Sequence, residues 1–342
     1  MFKTKQVYLV GAGFTKSIFP NDATLNKGLL NALTVYWETD VFEKYKKKYK
    51  NMNGDIWDIE KLLTYIDMEI GDEGYYNPES QSKLVQDRLE INEAIASYFK
   101  QFRFKKEILN KNKWLNCFSQ NILQRDDVIV NLNYECFLEG MLDYLHLWEP
   151  INGYIGVHFH PDAKAEALKD KQVKIIKVHG SENFVISSCY PDENMKSIGC
   201  VFDEEIFPNS AQYSHLGGGM LEPKSYVIAP SFIKNTHVQI TDMMLKAINV
   251  ARIADTLIII GCGIRKEDLF VRFFLTSFMN VENLNSKVKK KIIIVDYNAK
   301  ELRNKISTFW SNNLKYHFEV LIFEDGLQNS ISFLYQQIRK MT

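Results

Sequence analysis

Residues 7–15, VYLVGAGFT, carry the clearest signal of the fold in this sequence. Val7–Val10 predicts a short buried strand, and Gly11 and Gly13 permit a tight turn that leads into a helix. A strand that ends in such a turn directs backbone N–H groups of the helix N-terminus toward phosphate. Lys16 stands where the full dinucleotide fingerprint has its third glycine, so the turn alone is equally typical of an ordinary strand–turn–helix unit. The residues that follow the later strands are needed to distinguish a phosphate-binding turn from an ordinary strand–turn–helix unit.

Composition describes an ordinary globular protein that is large enough for one or two domains. The chain has 342 residues, of which 46% are hydrophobic and 25% are charged, and these values are typical of globular proteins. Its 42 basic residues balance 42 acidic ones. A net charge of zero argues against a general binder of nucleic acid or of membrane surfaces, since such a binder needs a basic excess.

The cysteines and the apolar runs bear on the cellular compartment. The five cysteines are dispersed and form no C-x-x-C pair: Cys117, Cys136, Cys189, Cys200 and Cys262. Such a set is typical of a reducing compartment and provides no structural zinc site. No apolar run approaches the ~20 residues that span a bilayer, and Val7–Val10 is too short for the apolar core of a signal peptide. We therefore expect a cytoplasmic protein.

The region after the glycine turn is patterned as helices. Apolar residues recur at helical spacing from Leu25, from Ile56 and again from Leu84. Residues 25–124 are too many for an ordinary crossover between two strands. We therefore predict an α/β domain formed by residues 1–24 and 125–342, with a helical insertion or cap over residues 25–124.

Three polar features have both a functional and a structural interpretation. The run Lys44–Lys50 interleaves lysine with tyrosine, as single-strand nucleic-acid contacts do, but we favour a solvated helix face. His158 and His160 alternate without a clear third ligand, so we expect them to face solvent rather than a metal. An acidic cluster is predicted to begin a helix rather than to form a catalytic pair: Asp55, Asp58 and Glu60.

From Asp126 onward, aliphatic strands alternate with helices. The predicted strands are Val128–Asn131, Val173–Val178, Tyr226–Ala229, Thr256–Ile260, Ile292–Val295 and Phe318–Phe323. Near-continuous aliphatic strands separated by helices indicate a parallel sheet covered on both faces. The fold class that we predict is therefore α/β, a doubly wound, Rossmann-like parallel sheet with an inserted helical module. Residues 181–224 lack clear patterning, which is typical of a functional loop or a small insertion.

Polar residues follow almost every predicted strand. In open parallel sheets, ligands bind beyond the carboxyl ends of the strands. Besides the first glycine turn, the segments at these ends are Asn131–Glu135, His179–Ser181, Pro230-Ser231, Gly261–Gly263 and Asp296–Asn298. Each segment has an explanation as turn chemistry, but together they predict an edge that binds phosphate and ribose.

The order of these motifs resembles the sirtuin-like (silent information regulator-like) family, especially its bacterial antiphage-defence branch. The resemblance extends over residues 7 to 300. The motifs that carry it are Gly11-Ala12-Gly13 with Thr15, Asn133-Tyr134-Glu135, Val178-His179-Gly180, Gly261–Gly263 with Asp268 downstream, and Asp296 with Asn298. The resemblance implies an enzyme that binds NAD and cleaves its nicotinamide–ribose bond.

The resemblance also implies roles for two side chains. Loss of nicotinamide leaves an oxocarbenium-like ribose, as in glycoside cleavage. The Asn133 carboxamide would hold a ribose hydroxyl and the attacking water, and His179 would accept a proton near neutral pH. Taken singly, His179 is typical of a structural histidine and Asn133 of a helix N-cap, but their place in the ordered set favours the functional interpretation.

The remaining implied positions bind the substrate. The pyrophosphate would lie on the N–H groups of residues 13–15, and the adenosine ribose would lie near Asp296 and Asn298. Phe14 would form a wall of the nicotinamide pocket. The other implied cofactor-binding positions are Gly11, Ala12, Gly13, Thr15, Asn133, Ser231, Gly261, Cys262 and Gly263.

The chain departs from the family pattern at three points. Glu135 replaces the usual aspartate, and its extra methylene would shift a carboxylate that contacts NAD directly. Thr15 replaces the common serine, which is a mild change. The two cysteine pairs of the deacylase branch are missing, since only Cys189 and Cys200 come soon after the histidine and they form no C-x-x-C pair. The resemblance therefore favours outright hydrolysis of NAD, without zinc, over protein deacylation.

The same resemblance implies a role in antiphage defence through depletion of NAD. Unregulated cleavage would harm the host, so we expect a protein partner, by analogy a HerA-like ATPase or a short Argonaute, or control by homo-oligomerisation. Sequence-specific nucleic-acid binding and membrane attachment are not expected. Two alternatives remain open: a non-catalytic sensor of NAD or ADP-ribose, for which Glu135 is the argument, and an ADP-ribosyltransferase.

Overall fold

The structure is a computed structural model. It describes residues 6–23, 26–36, 41–53, 59–76, 78–159, 172–188, 196–210, 220–228, 231, 237–265, 268–280, 290–309 and 318–340. Over these ranges, no helix combines the length and the apolar character that a membrane crossing requires.

Helices follow the first strand over most of the described residues up to 122, and strands and helices alternate from residue 238 onward. The strands are β1 Gln6–Val10, β2 Val128–Asn131, β3 Lys174–Lys177, β4 Gly180–Ser188, β5 Lys196–Cys200, β6 Met220–Val227, β7 Thr256–Ile260, β8 Lys290–Val295 and β9 Phe318–Phe323. The helices before β2 are α1 Ala12–Ile18, α2 Asn26–Tyr36, α3 Val41–Asn53, α4 Ile59–Tyr76, α5 Pro78–Lys100, α6 Lys106–Lys111 and α7 Lys113–Cys117, followed by a π-helical turn, Phe118–Ile122. The later helices are α8 Phe137–Tyr144, α9 Pro150–Gly153, α10 Val238–Ile253, α11 Leu269–Met279, α12 Ala299–Ser307 and α13 Gly326–Arg339.

Six strands form one parallel sheet in the order β3-β2-β1-β7-β8-β9. From β1, the strands β2 and β3 are added on one side of the sheet. From β7, the strands β8 and β9 are added on the other side. This is the doubly wound order, with its switch point between β1 and β7. The predicted α/β, Rossmann-like fold class is confirmed.

The register brings the carboxyl ends of the strands to one edge. Val10 at the end of β1 pairs with Asn131 of β2 and with Ile260 of β7. Asn131 pairs in turn with Lys177, the last residue of β3. The segments that follow β1, β2, β3 and β7 therefore meet where ligands of such sheets bind.

A second sheet lies between β3 and α10 in the chain. It is antiparallel, with the order β5-β4-β6, and it occupies a region that we expected to be irregular. The parallel strand predicted at Tyr226–Ala229 is wrong, because the chain there belongs to β6 of this second sheet. Buried polar residues on β4, among them Glu182 and Asn183, interrupt the apolar alternation by which such a strand is recognised.

The helical unit has a hydrophobic core of its own. Buried side chains of α2 to α5 form one cluster, which ends at Phe102 and is joined by Tyr134 and Val227. Residues further along, such as Trp114 and Phe118, belong to the cluster of the α/β domain instead. The core of the helical unit therefore reaches Phe102, while α6, α7 and the π-helical turn pack on the sheet domain. The predicted bound at residue 124 remains a prediction.

The lysine–tyrosine run lies on α3. Its tyrosines, Tyr45 and Tyr49, are buried in the helical core, while Lys44 pairs with Asp87 at 2.5 Å and Lys48 pairs with Glu69 at 2.5 Å. The tyrosine rings are therefore core residues, as the structural interpretation of this run requires. Of the other polar features, His160, Asp55 and Asp58 lie outside the described residues.

Candidate functional site

Two glycine turns lie in backbone contact at the switch point. The N–H of Gly13 donates to the carbonyl of Gly261 at 2.8 Å, and the N–H of Gly11 donates to Ile260 at 3.0 Å. A Cβ atom added to Gly13 would lie 2.6 Å from the Cα of Gly261, and Gly261 itself has a φ of +55°. Glycine is required at both positions because no side chain fits between the two backbones.

Asn133 is fixed against the first turn. Its side-chain nitrogen donates to the carbonyl of Gly11 at 3.1 Å and to the hydroxyl of Thr15 at 3.2 Å. That hydroxyl can accept because its own hydrogen is donated to the carboxylate of Glu135. Both amide hydrogens of Asn133 are thus used within the protein, and the side-chain oxygen is the atom that can accept from a ligand hydroxyl or from water. Asn133 does not cap the following helix, since Cys136 holds the N-cap position of α8.

A buried ion pair links the end of β3 to α8 and to the segment that carries Glu135. Lys177, the last residue of β3, pairs with Glu139 of α8 at 3.0 Å, and both side chains are fully buried. The ammonium group of Lys177 also donates to the backbone carbonyl of Glu135 at 2.7 Å. Burial acts to lower the pKa of Lys177, but the neighbouring Glu139 carboxylate helps to raise it above its usual value. The lysine therefore stays charged and holds the turn that carries Glu135.

Glu135 is a buried titratable residue that contacts Thr15, just after the first glycine turn. One carboxylate oxygen accepts from Thr15, and the other is buried without a hydrogen-bond partner among the described residues. Burial raises the pKa of Glu135 to about 7, although Lys177 and the hydrogen bond from Thr15 act to lower it. Its protonation state therefore changes near neutral pH.

His179 lies in the turn between β3 and β4. Its Nδ1 is 3.3 Å from the carbonyl of Leu132, and its Nε2 is 3.5 Å from a carboxylate oxygen of Asp268. The other carboxylate oxygen of Asp268 caps α11 by accepting from the N–H of Val271 at 3.3 Å. His179 is thus held between the end of β2 and the loop that follows β7.

The structure brings the remaining predicted positions together only in part. Asp296 and Asn298 follow β8, which neighbours β7 on the side away from His179, and Asp296 accepts from the N–H of Asn298 at 2.8 Å. Burial raises the pKa of Asp296 above its usual value. Ser231 lies 3.4 Å from Thr64 of α4, hydroxyl to hydroxyl. Asp296 and Asn298 therefore lie beyond β7 from His179, and Ser231 lies beside the helical unit.

Two side chains point away from the edge. The ring of Phe14 is 1% exposed and packs on Trp114 and Phe118, with ring centroids 6.2 Å and 5.7 Å away. The expected role of Phe14 as a wall of a nicotinamide pocket does not agree with this placement, because the helical twist of α1 turns the ring into the core. The thiol of Cys262 is buried as well, and burial raises its pKa, so these two residues border the edge through their backbones. Ala12 and Gly263 are exposed beside them.

Sequence reasoning missed four residues of the edge. They are Lys177, Glu139, Glu60 and Arg265. Lys177 and Glu139 each interrupt an apolar run, in KIIKV and FLEGML, and a charge at a core position is a signal of a buried ion pair. Glu60 and Arg265 leave no such signal, since their pairing depends on how the helical unit lies on the sheet.

The structure describes no metal centre. Within the described ranges, no group of three or more His, Cys, Asp or Glu residues is arranged to hold a metal ion. Cys189 lies outside those ranges, and Cys200 is buried, where its sulfur accepts from the Asn183 amide at 3.1 Å. His158 is exposed.

Comparison with known proteins assigns no family. No protein-family model matches the chain, and no curated protein matches it. Solved structures similar to it include a mutant Sir2 homologue in complex with 2′-O-acetyl ADP-ribose, at 11% identity and a TM-score of 0.40 over 98% of this chain and 92% of that one. Another Sir2 homologue mutant, in complex with ADP-ribose, has 12% identity and a TM-score of 0.36 over 98% and 92% of the two chains. At TM-scores below 0.5 these likenesses carry no argument.

Proposed function

We propose that the chain hydrolyses NAD to ADP-ribose and nicotinamide at the edge formed by β1, β2 and β3. The observation that carries the proposal is the joint placement of Asn133 and His179. The first is locked to the glycine turn by Gly11 and Thr15, and the second is tied through Leu132 to the same β2 end. A ribose held over the switch point would lie between an oxygen acceptor and a base.

The reaction needs one contribution from each of these two side chains. Departure of nicotinamide with the bonding electron pair leaves positive charge on the ribose. The free oxygen of Asn133 accepts from a ribose hydroxyl or from the attacking water and thereby positions it. His179 accepts the proton that the water loses as its oxygen bonds to C1′.

The surroundings of His179 suit this role. With the Nδ1 hydrogen donated to Leu132, Nε2 carries the lone pair that takes the proton. The Asp268 carboxylate, 3.5 Å from Nε2, then stabilises the imidazolium ion by charge. Neither step requires a metal ligand set.

One observation favours a second candidate, a sensor that binds NAD or ADP-ribose without turnover. Both ring nitrogens of His179 lie near protein acceptors, an arrangement that also suits a structural histidine. Glu135 is likewise engaged by Thr15. In the sensor, these groups would shape a binding site and move no proton.

The wider role extends the same proposal. Depletion of NAD by this activity would serve antiphage defence, as the family resemblance implies. A HerA-like ATPase, a short Argonaute or self-assembly would hold the activity off until infection. These partners rest on analogy.

The test is incubation of the purified chain with labelled NAD, followed by separation of the products. Hydrolysis releases free nicotinamide and ADP-ribose, transfer leaves label on a macromolecule, and binding without products indicates the sensor. We expect Asn133→Ala and His179→Ala each to lower cleavage by about 100-fold or more. The control is Asn249→Ala on the exposed face of α10, which should keep full activity. Full cleavage by both site variants would contradict the proposal.

A further inference from the structure

One loop connects the three parts of the candidate site. The described part of the β7–α11 loop, residues 261–265 and 268, begins with Gly261 against the first glycine turn. It ends with Asp268 beside His179. Between them, Arg265 forms an ion pair with Glu60 in the first turn of α4. The loop therefore joins the helical unit to the catalytic edge through a single pair of charges among the described contacts.

The Glu60–Arg265 ion pair lies close to the buried edge, but both of its side chains are partly exposed to solvent. The side chain of Arg265 is 36% exposed and that of Glu60 is 14% exposed. Both charges act on the Tyr134 hydroxyl: after burial, which raises its pKa most, Asp268 and Glu60 raise that pKa further, while Arg88 and Arg265 lower it. Tyr134 immediately follows Asn133 in the chain, so Arg265 and Glu60 lie within electrostatic reach of the site. Partly exposed ion pairs contribute little to stability, so an anionic ligand can replace one partner.

The other positive groups near the turn are committed elsewhere. The Lys177 ammonium is fully buried against Glu139, and Lys16 donates to the carbonyl of Ala23 at 2.7 Å. The backbone N–H groups of Gly13 and Phe14 donate to protein carbonyls. Arg265, in contrast, is held on its loop, among the described contacts, only by a carboxylate that is itself partly exposed.

Guanidinium suits a particular ligand group. Arginine binds phosphate oxygens with paired N–H donors, and the diphosphate of a dinucleotide lies at the switch point of a doubly wound sheet. A carboxylate such as that of Glu60 satisfies the same donors as a phosphate does. The Glu60–Arg265 pair therefore has the chemistry of an internal substitute for the ligand.

We propose that Arg265 binds the diphosphate of a dinucleotide and that Glu60 competes with that ligand for it. Ligand binding then detaches the start of α4 from the β7–α11 loop and makes the helical unit sensitive to occupancy of the site. The inference rests on the proposed function only for the identity of the ligand, and it requires binding but no cleavage.

The experiment measures binding by calorimetry, with ADP-ribose and with adenosine, which lacks the diphosphate. Four proteins are compared: the unmodified chain, Arg265→Gln, Glu60→Gln and the double variant. We expect Arg265→Gln to weaken ADP-ribose binding by about tenfold and Glu60→Gln to strengthen it by about threefold. In the double variant the Glu60→Gln effect should vanish. Adenosine binding should be the same in all four proteins.

A matched control and a second readout keep the result clear. Arg252→Gln, at the C-terminal end of α10 and therefore at the opposite end of the sheet, should leave the Kd for ADP-ribose unchanged. Hydrogen exchange of the first turn of α4 should rise when ADP-ribose is added to the unmodified chain. This readout also decides the question if a variant fails to fold.

Three results would overturn the inference. They are an ADP-ribose Kd unaffected by either single variant, a Glu60→Gln effect that persists without Arg265, and an unmodified chain that does not bind ADP-ribose. NAD cleavage is assayed separately. Binding that responds as expected would leave the role of Arg265 intact whether or not the isolated chain cleaves NAD.

Discussion

Thr15 donates its hydroxyl hydrogen to the buried carboxylate of Glu135, which lies 120 positions further along the chain. The same hydroxyl oxygen accepts from the side-chain amide of Asn133 at 3.2 Å. The glycine turn after β1 and the segment after β2 are therefore held together by side chains as well as by the sheet. The extra methylene of Glu135 lets its carboxylate reach Thr15, and a threonine in place of serine keeps the hydroxyl that this contact uses.

Glu135 should make stability depend on pH. Burial raises its pKa from 4.5 to about 7 in the folded chain, so the folded state binds the proton more tightly than the unfolded state does. Stability therefore falls as pH rises from about 4.5 to about 7. Glu135→Gln removes this loss, and we expect it to gain up to about 3 kcal/mol at pH 8 relative to its effect at pH 5.

Urea unfolding at the two pH values measures this difference. Glu301→Gln on the exposed face of α12 is the matched control, and its effect should hardly change between pH 5 and pH 8. An equal effect of Glu135→Gln at both pH values would show that the carboxyl does not titrate in this range.

A side chain should be destabilising at Gly13 in the first glycine turn and tolerated at Gly263 in the second. A Cβ at Gly13 would lie 2.6 Å from backbone of Gly261, whereas a Cβ at Gly263 meets nothing within 4 Å. We expect Gly13→Ala to destabilise the chain by about 1–3 kcal/mol and to weaken NAD binding, with Gly263→Ala close to neutral in stability. Thermal melting and NAD titration compare the pair. Similar behaviour of the two variants would contradict the tight contact between the turns.

Asp268 should act on His179 through its charge and on α11 through its cap. Asparagine keeps an N-cap oxygen but removes the charge, so Asp268→Asn should melt like the unmodified chain and lose about tenfold in NAD cleavage. Asp268→Ala should lose the cap as well, at a cost of about 1 kcal/mol. Melting temperatures and initial rates separate the two effects. Asp268→Asn with full activity would restrict this residue to the helix cap.

Replacing one partner of the Lys177–Glu139 ion pair should destabilise the chain more than replacing both partners with apolar residues. Removing one partner of a buried ion pair leaves the other charge without compensation, so Lys177→Met should cost about 3–5 kcal/mol. The double variant Lys177→Met, Glu139→Leu should be more stable than Lys177→Met alone. Denaturant unfolding of the single and double variants completes the cycle. Additive losses would show that the two charges do not interact.

Much of the sheet could be predicted because its signals are local. Runs such as Thr256–Ile260 are apolar throughout and bounded by turn residues, and five of the six predicted strands after the first belong to the parallel sheet. The small antiparallel sheet could not be predicted, because Glu182 and Asn183 are buried polar residues that find partners only in the folded chain. The change of core near Phe102 could not be predicted for a related reason: helical periodicity shows that a face is buried but not against which core.

Local sequence patterns are enough to identify the residues that end the strands, and hence to predict that Gly13, Asn133 and His179 lie on one edge, because parallel strands share their carboxyl ends. The contacts of these residues depend on the tertiary fold. The partnership of Thr15 with Glu135 joins residues 120 positions apart, and that of Glu60 with Arg265 joins residues 205 positions apart. Such pairs form when the sheet order and the docking of the helical unit bring distant segments within hydrogen-bond distance, and no local pattern of residues encodes that distance.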